Sequence, residues 1–222
     1  MIDLSQPIFD GGPNCPAHPP VRSEVVADHA AGGWRMELLT LASHTGSHLD
    51  APLHKLRGGA SISEMPLESF TGAARIADLV PLEPKTSILP EQLERAAPNL
   101  HADEILLVRT GWGEKRQRSN DWLFQSPKLS PAAANWLVEK QIRGLGIDHW
   151  GVGGWDPEND ATVHTILLSH GIWIVEELRF TPQALAAGQP VTFMALPVNL
   201  QDHSGAWCRP VLLTDIVVSE NG

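Results

Sequence analysis

Apolar positions along the chain fall into short runs separated by glycine- and proline-bearing breaks, which predicts short strands and helices and no long helix. Ala73 to Val80 and Glu104 to Thr110 read as strands, and the unbroken Ile-Leu-Leu-Val of the second suits a position buried on both faces. Trp34 to Leu41 reads as a strand feeding the segment His44 to His54. Pro90 to Ala97 predicts a short helix opened by proline. Ser130 as N-cap and Pro131 at the first position predict a longer helix to Arg143, stopped by Gly144. Gly144 to His149 reads as a strand. Asp160 is the expected cap of a helix through His170, ended by Gly171, with the strand Ile172 to Val175 following at once. Val191 to Val198 and Cys208 to Val217 complete the set, and the Pro- and Gly-rich stretch from Asp10 to Pro20 reads as an ordered arm or lid. Strands and helices interleave without strict alternation, so the expectation is a single α/β or α+β domain with a mixed sheet over residues 1–222.

Composition narrows the partners. The chain has 222 residues, 42% of them apolar, which excludes a disordered protein. Sixteen Lys and Arg stand against 26 Asp and Glu, a formal charge of −10, and basic residues gather only around Lys115 to Arg118. That excludes a nucleic acid or an anionic membrane surface as the main partner, because both need a cationic footprint. Cys15 and Cys208 are the only cysteines, in no pair that would suggest a disulfide framework or a cysteine zinc site, which fits a reducing, cytoplasmic setting. Met1 to Ser5 lacks the features of a signal peptide, and no segment approaches the ~20 apolar residues of a membrane span. A soluble protein is expected.

The densest chemical signal is His44-Thr45-Gly46-Ser47-His48-Leu49-Asp50-Ala51-Pro52-Leu53-His54, with three histidines and a carboxylate in one segment. Imidazole nitrogen and carboxylate oxygen suit zinc, manganese and similar ions, and Gly46 and Pro52 bend the chain so that these side chains can converge. His164, near the start of its predicted helix, and Glu176, at the end of the strand after it, form a second locus. If the two elements pack antiparallel, these residues lie side by side and complete a metal site. Taken alone, this pair is weak, since Val163, Ile166, Leu167 and His170 also make an ordinary helical face. Gly151 to Trp155 lacks the third glycine of a dinucleotide loop and reads as a turn. His29, His101, His149, His170 and His203 are expected at the surface or behind the site.

The His44–His54 segment resembles the HxGTHxDxPxH signature of the cyclase-like metal-dependent hydrolases, a family that includes bacterial kynurenine formamidase and isatin hydrolase. The resemblance continues through Leu107 to Trp112, His164 to Glu176 and Ala195 to Leu200, in the same order. It implies a swivelling β/β/α fold, a homodimer or higher homo-oligomer, and amide hydrolysis by metal-activated water. By position it implies His44, His48 and Asp50 on a first metal, Asp50 bridging to a second held by His164 and Glu176, and His54 as proton donor and acceptor. Ser47 stands where threonine is usual and keeps the hydroxyl. The arm carries Cys15-Pro16-Ala17-His18 where kynurenine formamidases have Trp-Pro-Gly-Asp, so the aromatic wall would have to come from Trp34, Trp150 or Trp155. Cys15 and His18 are the candidate substrate contacts. Near the C-terminus, His203-Ser204-Gly205 replaces Asp-Gly-Ser.

Zinc or manganese, two per chain, is the expected cofactor, because a glutamate at 176 adds negative charge against a second cation. The expected activity is an arylformamidase-like hydrolysis of a non-peptide amide. The alternatives are a cyclic amide such as isatin, or a non-catalytic metal- or ligand-binding protein on the same fold. His54 discriminates, since metal retention does not need it and proton transfer does.

Overall fold

The computed structural model describes residues 1–214. Thirteen strands lie in that span. In chain order they are β1 (Ile2–Asp3), β2 (Arg22–Ala27), β3 (Met36–Thr40), β4 (His48–Asp50), β5 (Thr71–Asp78), β6 (Ser87–Ile88) and β7 (Ile105–Arg109). Then come β8 (Lys128–Leu129), β9 (Gly144–Ile147), β10 (Trp173–Glu176), β11 (Val191–Met194), β12 (Gly205–Trp207) and β13 (Val211–Leu213). The helices are α1 (His29–Gly32), α2 (Pro90–Ala96), α3 (Asn120–Phe124), α4 (Pro131–Glu139), α5 (Pro157–Ser169) and α6 (Pro182–Leu185).

Nine strands form one mixed sheet in the order β1-β13-β11-β5-β7-β9-β10-β4-β12, and its centre, β5-β7-β9-β10, is parallel. The parallel strands are apolar on both faces because both are covered. Leu106, Val108, Leu145, Ile147 and Ile174 join the core under α2, α4 and α5, while Ile105, Leu107, Trp173 and Val175 join a second core with Phe70, Phe193 and Leu49. β9 reads Gly-Leu-Gly-Ile for a steric reason. A Cβ on Gly144 would overlap the Trp173 indole, so glycine there lets the largest side chain of β10 lie flat against the neighbouring strand.

The predicted strands and helices are present, with shifted ends. Ser130 caps α4 by accepting from Ala133 N at 3.0 Å, but the helix stops at Glu139, because Gln141 takes a left-handed φ of 56° before Gly144 is reached. α5 starts earlier than predicted: its cap is Asp156, which accepts from Glu158 N and Asn159 N, with Pro157 opening the helix. His164 is therefore mid-helix, and the buried stripe is Val163, His164, Leu167 and Leu168, with His170 exposed. The strand predicted at Trp34 to Leu41 is β3, outside the main sheet. It pairs only with β2, as an antiparallel hairpin. Of the strand predicted at Cys208 to Val217, β13 covers the middle, and 215–217 lie outside the described residues. No helix of the described residues is long and apolar enough to cross a membrane.

Candidate metal centre

Strand pairing assembles the site. β10 lies antiparallel to β4 with Glu176 opposite His48 and Ile174 opposite Asp50, and β12 flanks β4 on the other side with Gly205 opposite Asp50. Alternation turns His48 and Asp50 to one face and Leu49 to the core on the other. α5 crosses that first face and lowers His164 onto it: His164 Nε2 lies 3.2 Å from Glu176 Oε1 and 3.3 Å from Asp50 Oδ2. His48 Nε2 lies 3.4 Å from Asp50 Oδ1 and 3.6 Å from Glu176 Oε2, and His44 Nδ1 lies 2.6 Å from Asp50 Oδ1. The side-by-side placement expected of His164 and Glu176 is thus present. Ser47, His48, Asp50, His164 and Glu176 are all buried.

Each imidazole is aimed by its other nitrogen. His48 Nδ1–H donates to Gly46 O at 2.8 Å and His164 Nδ1–H to Asp160 O at 2.8 Å, so both Nε2 atoms turn inward toward the Asp50 and Glu176 carboxylates. His44 Nε2 is 2.9 Å from Ser204 Oγ. Glu176 Oε1 accepts from Val152 N at 2.7 Å, which fixes the carboxylate plane, and Asp160 Oδ1 accepts from Gly153 N at 3.0 Å. The Gly151–Trp155 segment, read from the sequence as a plain turn, supplies both amides. Gly205 leaves room for His44: a Cβ there would sit 2.5 Å from His44 Cε1 and 2.5 Å from Leu49 O.

The electrostatics are those of a donor cluster. Burial lowers the tendency of His48 to charge, yet the hydrogen bond and charge of Asp50, with Glu176, outweigh it and lift its pKa to about 9. His164 is raised well above its ordinary value: burial opposes the charge, and Asp160, Asp50 and Glu176 overcome it. Burial raises Glu176 to about 7 against its bond with His164. Asp50, despite burial, is held well below the usual carboxylate range by the His44 charge and its histidine neighbours. Asp50 Oδ2 is buried and makes no hydrogen bond of acceptable geometry, although His164 Nε2 is near. Buried polar atoms are rarely left so. The sets His44, His48, Asp50; Asp50, His54, His164; and Asp160, His164, Glu176 each bring one donor atom per residue within 4.8 Å of one another. Nitrogen and carboxylate donors around an unsatisfied oxygen fit a borderline divalent cation such as zinc or manganese.

His54 ends a 3₁₀ turn, Pro52–His54, with its ring 4.3 Å from that of His44 and 5.5 Å from that of His164. Burial lowers its pKa to about 4 against the pull of Asp50, so the imidazole is neutral near pH 7 and has a lone pair to offer. A cavity of about 170 Å³ surrounds the cluster, and Cys15, His18, Lys55 and Trp150 line it. The two arm residues singled out from the sequence therefore reach the site. Burial raises the Cys15 thiol to about 11, leaving it protonated, and lowers His18. Of the three tryptophans weighed for the aromatic wall, Trp150 lines the cavity, Trp34 is exposed, and Trp155 packs under Lys85 and Lys128.

Arg116 ties the arm down. Its Nη atoms donate to Pro7 O and Pro13 O at 3.0 and 3.2 Å, and its Nε donates to buried Glu177, the left-handed residue directly after Glu176. Ser47 Oγ donates to Glu177 O at 2.7 Å and accepts from Gln6 N at 2.8 Å, so the hydroxyl retained at position 47 is in use. Ser204, Asp160, Arg116 and the Val152 amide serve the site without being among the candidate site residues of the sequence. Only Asp160 left a visible sign, its four-residue spacing from His164 on a helix. His149, expected at the surface or behind the site, is fully buried against Trp122.

Comparison with known proteins places the chain in a family. Residues 2–153 match the Cyclase family, described as "Putative cyclase". The chain is 32% identical over 214 residues to a kynurenine formamidase of Bacillus thuringiensis (strain Al Hakam), covering 95% of this chain and 96% of that one. Among solved structures, a predicted metal-dependent hydrolase from Bacillus stearothermophilus superposes with a TM-score of 0.75 at 26% identity, over 95% of this chain and 96% of that one. Isatin hydrolase A from Labrenzia aggregata superposes with a TM-score of 0.83 at 23% identity, over 95% and 92%, a likeness of fold.

Proposed function

Because the chain belongs to the Cyclase family, we propose that it is a metal-dependent hydrolase of a non-peptide carbon–nitrogen amide bond, with an aryl formamide as the substrate class. The observation that carries this reading is the convergence of His44, His48, Asp50, His164 and Glu176 around an unsatisfied Asp50 oxygen, with His54 beside them and hydrogen-bonded to none. His44, His48 and Asp50 would hold one ion, zinc or manganese, and Asp50 with His164 and Glu176 a second. When bound, such ions polarise a carbonyl and make water nucleophilic near pH 7.

The protein's own groups do the rest. His54, neutral near pH 7, takes the proton of the attacking water and returns it to the departing nitrogen. The Val152 amide and the Asp160 and Gly46 carbonyls hold their partners in place, so little reorganisation accompanies the reaction. The arm, fastened by Arg116, forms part of the cavity wall through Cys15, Ala17 and His18. A cyclic amide such as isatin is the second reading, favoured by the arm's Cys15-Pro16-Ala17-His18, which lacks the aromatic residue of the formamidases. A purely metal-binding protein on the same fold would keep its metal and turn over none of the amides tested below.

We read residues 1–222 as one domain acting in the cytoplasm on a small-molecule amide, as a homodimer or higher homo-oligomer. The β2–β3 hairpin supports the oligomer: Val25, Val26, Met36, Leu38 and Leu39 are each 44–54% exposed, and a two-stranded ribbon is marginal in water unless something covers it.

The test is metal content per chain beside turnover of formanilide, N-formylkynurenine and isatin. His54→Ala is expected to keep its metal and lose turnover by about 10²- to 10⁴-fold. Asp50→Asn is expected to lose both. A wild-type protein that takes up no stoichiometric divalent metal sinks the reading.

A further inference from the structure

Seven of the residues lining the cavity make up the cluster or orient it, and the other five are Cys15, Ala17, His18, Lys55 and Trp150. These five are the wall against which the rest of a substrate would lie. Lys55 is the one charged side chain among them. It directly follows His54 and closes the same 3₁₀ turn, its backbone N–H donating to Pro52 O at 3.2 Å. The turn that sets His54 beside the cluster therefore sets Lys55 on the same cavity.

The chain has five lysines, and four have partners. Lys128 pairs with Asp156 at 2.7 Å and Lys140 with Glu94 at 3.9 Å, while Lys85 and Lys115 lie over the rings of Trp155 and Trp112 at 4.2 and 3.6 Å. Lys55 is half-buried, and among the described residues no carboxylate oxygen lies within 4.0 Å of its ammonium and no aromatic ring receives it. A second donor stands in the same wall: Trp150 Nε1 is buried with no hydrogen-bond partner. A half-buried lysine and a buried indole N–H, both unpaired, leave donors for which the protein offers no acceptor. A carboxylate is the group whose chemistry suits such donors, being acceptor-only with two oxygens. The space is small. About 170 Å³ is close to the ~150 Å³ of an engineered cavity that takes benzene, so one ring with compact substituents matches it.

We propose that Lys55 is a specificity-determining residue whose ammonium receives a carboxylate carried by the substrate beside its scissile amide, so that the preferred substrates are compact aromatic amides bearing a carboxylate. This rests on the amide-hydrolase reading of the same site. Trp150 supplies a flat wall beside it. The competing role for Lys55 is to offset the negative charge of Asp50, Glu176 and Asp160, which would affect every substrate alike.

N-formylanthranilate and formanilide separate the two roles, because they share the scissile bond and the aromatic leaving amine and differ by one carboxylate. The metal-loaded wild type is expected to favour N-formylanthranilate in kcat/KM. Lys55→Met should shrink that preference at least about tenfold, mostly through KM, the scale of one charge-assisted hydrogen bond, and Lys55→Arg should restore much of it. A preference unmoved by Lys55→Met, or an equal fall for both amides together with lost metal, overturns the proposal. A second readout needs no turnover: benzoate titrated into chelator-treated protein should quench tryptophan fluorescence saturably in the wild type and at least about tenfold more weakly in Lys55→Met. If the metal-loaded wild type cleaves neither amide, the aryl-formamide reading fails on its own, while the benzoate titration still decides the role of Lys55.

Discussion

At the residue scale, the site depends as much on what is left out as on what is present. Gly205 carries no ligand, yet it faces Asp50 across the β12–β4 pair and lies against the His44 ring. Gly205→Ala is expected to push His44 off its position, since its methyl would meet the ring on one side and the Leu49 carbonyl on the other. Metal content should fall, and stability should drop by about 1–3 kcal/mol, the usual cost of overpacking. Elemental analysis and urea unfolding of the purified variant check this, and an alanine variant with full metal content would show that the strand simply yields. The candidate ligands His44, His48 and Asp50 are legible in the sequence because histidine and carboxylate types crowd into one segment, whereas His164 and Glu176 stand out only through the family resemblance. Ser204 shows in the sequence only as a departure from a motif, and a hydroxyl that contacts a histidine 160 positions away carries no local sign of doing so.

At the element scale, legibility followed the binary pattern. The strands of the parallel centre are apolar on both faces and were recognisable, whereas β4 and β12 were not. β4 turns His48 and Asp50 to the cluster and only Leu49 to the core, so its alternation looks like a polar loop. α5 shows a smaller error of the same kind: Asp156 and Asp160 are both plausible caps, and Pro157 at the first position settles the choice. The β2–β3 hairpin shows the reverse case, an apolar strand that leaves the main sheet and stays exposed. Leu38→Lys with Leu39→Lys is expected to move the protein toward monomer in size-exclusion chromatography with light scattering while far-UV circular dichroism is kept. A wild type that is already monomeric at assay concentration would remove the oligomer from the proposed function.

At the scale of the whole molecule, burial sets a pH dependence away from the cluster. His149 is fully buried, its Nε2 donates to Trp122 O at 2.8 Å, and burial lowers its pKa to about 4 from 6.5. The unfolded chain therefore binds this proton more readily than the folded one between those values. The stability contributed by neutral His149 is complete above pH 6.5 and is lost as pH falls toward about 4, with a slope of ~1.4 kcal/mol per pH unit between them. Urea unfolding of chelator-treated protein should show His149→Gln less sensitive to acid than wild type across that window, and equal slopes would contradict the assignment. Residue type and short-range periodicity are enough for the α/β class, the strands of the parallel centre, the helix start at Ser130, the helix stop at Gly171 and the candidate donors of His44 to His54. The tertiary structure alone decided that β10 lies beside β4, that the Val152 amide holds Glu176, that Arg116 fastens the arm, and that Lys55 and Trp150 share the cavity with His54. Those contacts join segments far apart in the chain, and many run through backbone atoms that every residue has, so composition and periodicity hold no record of them.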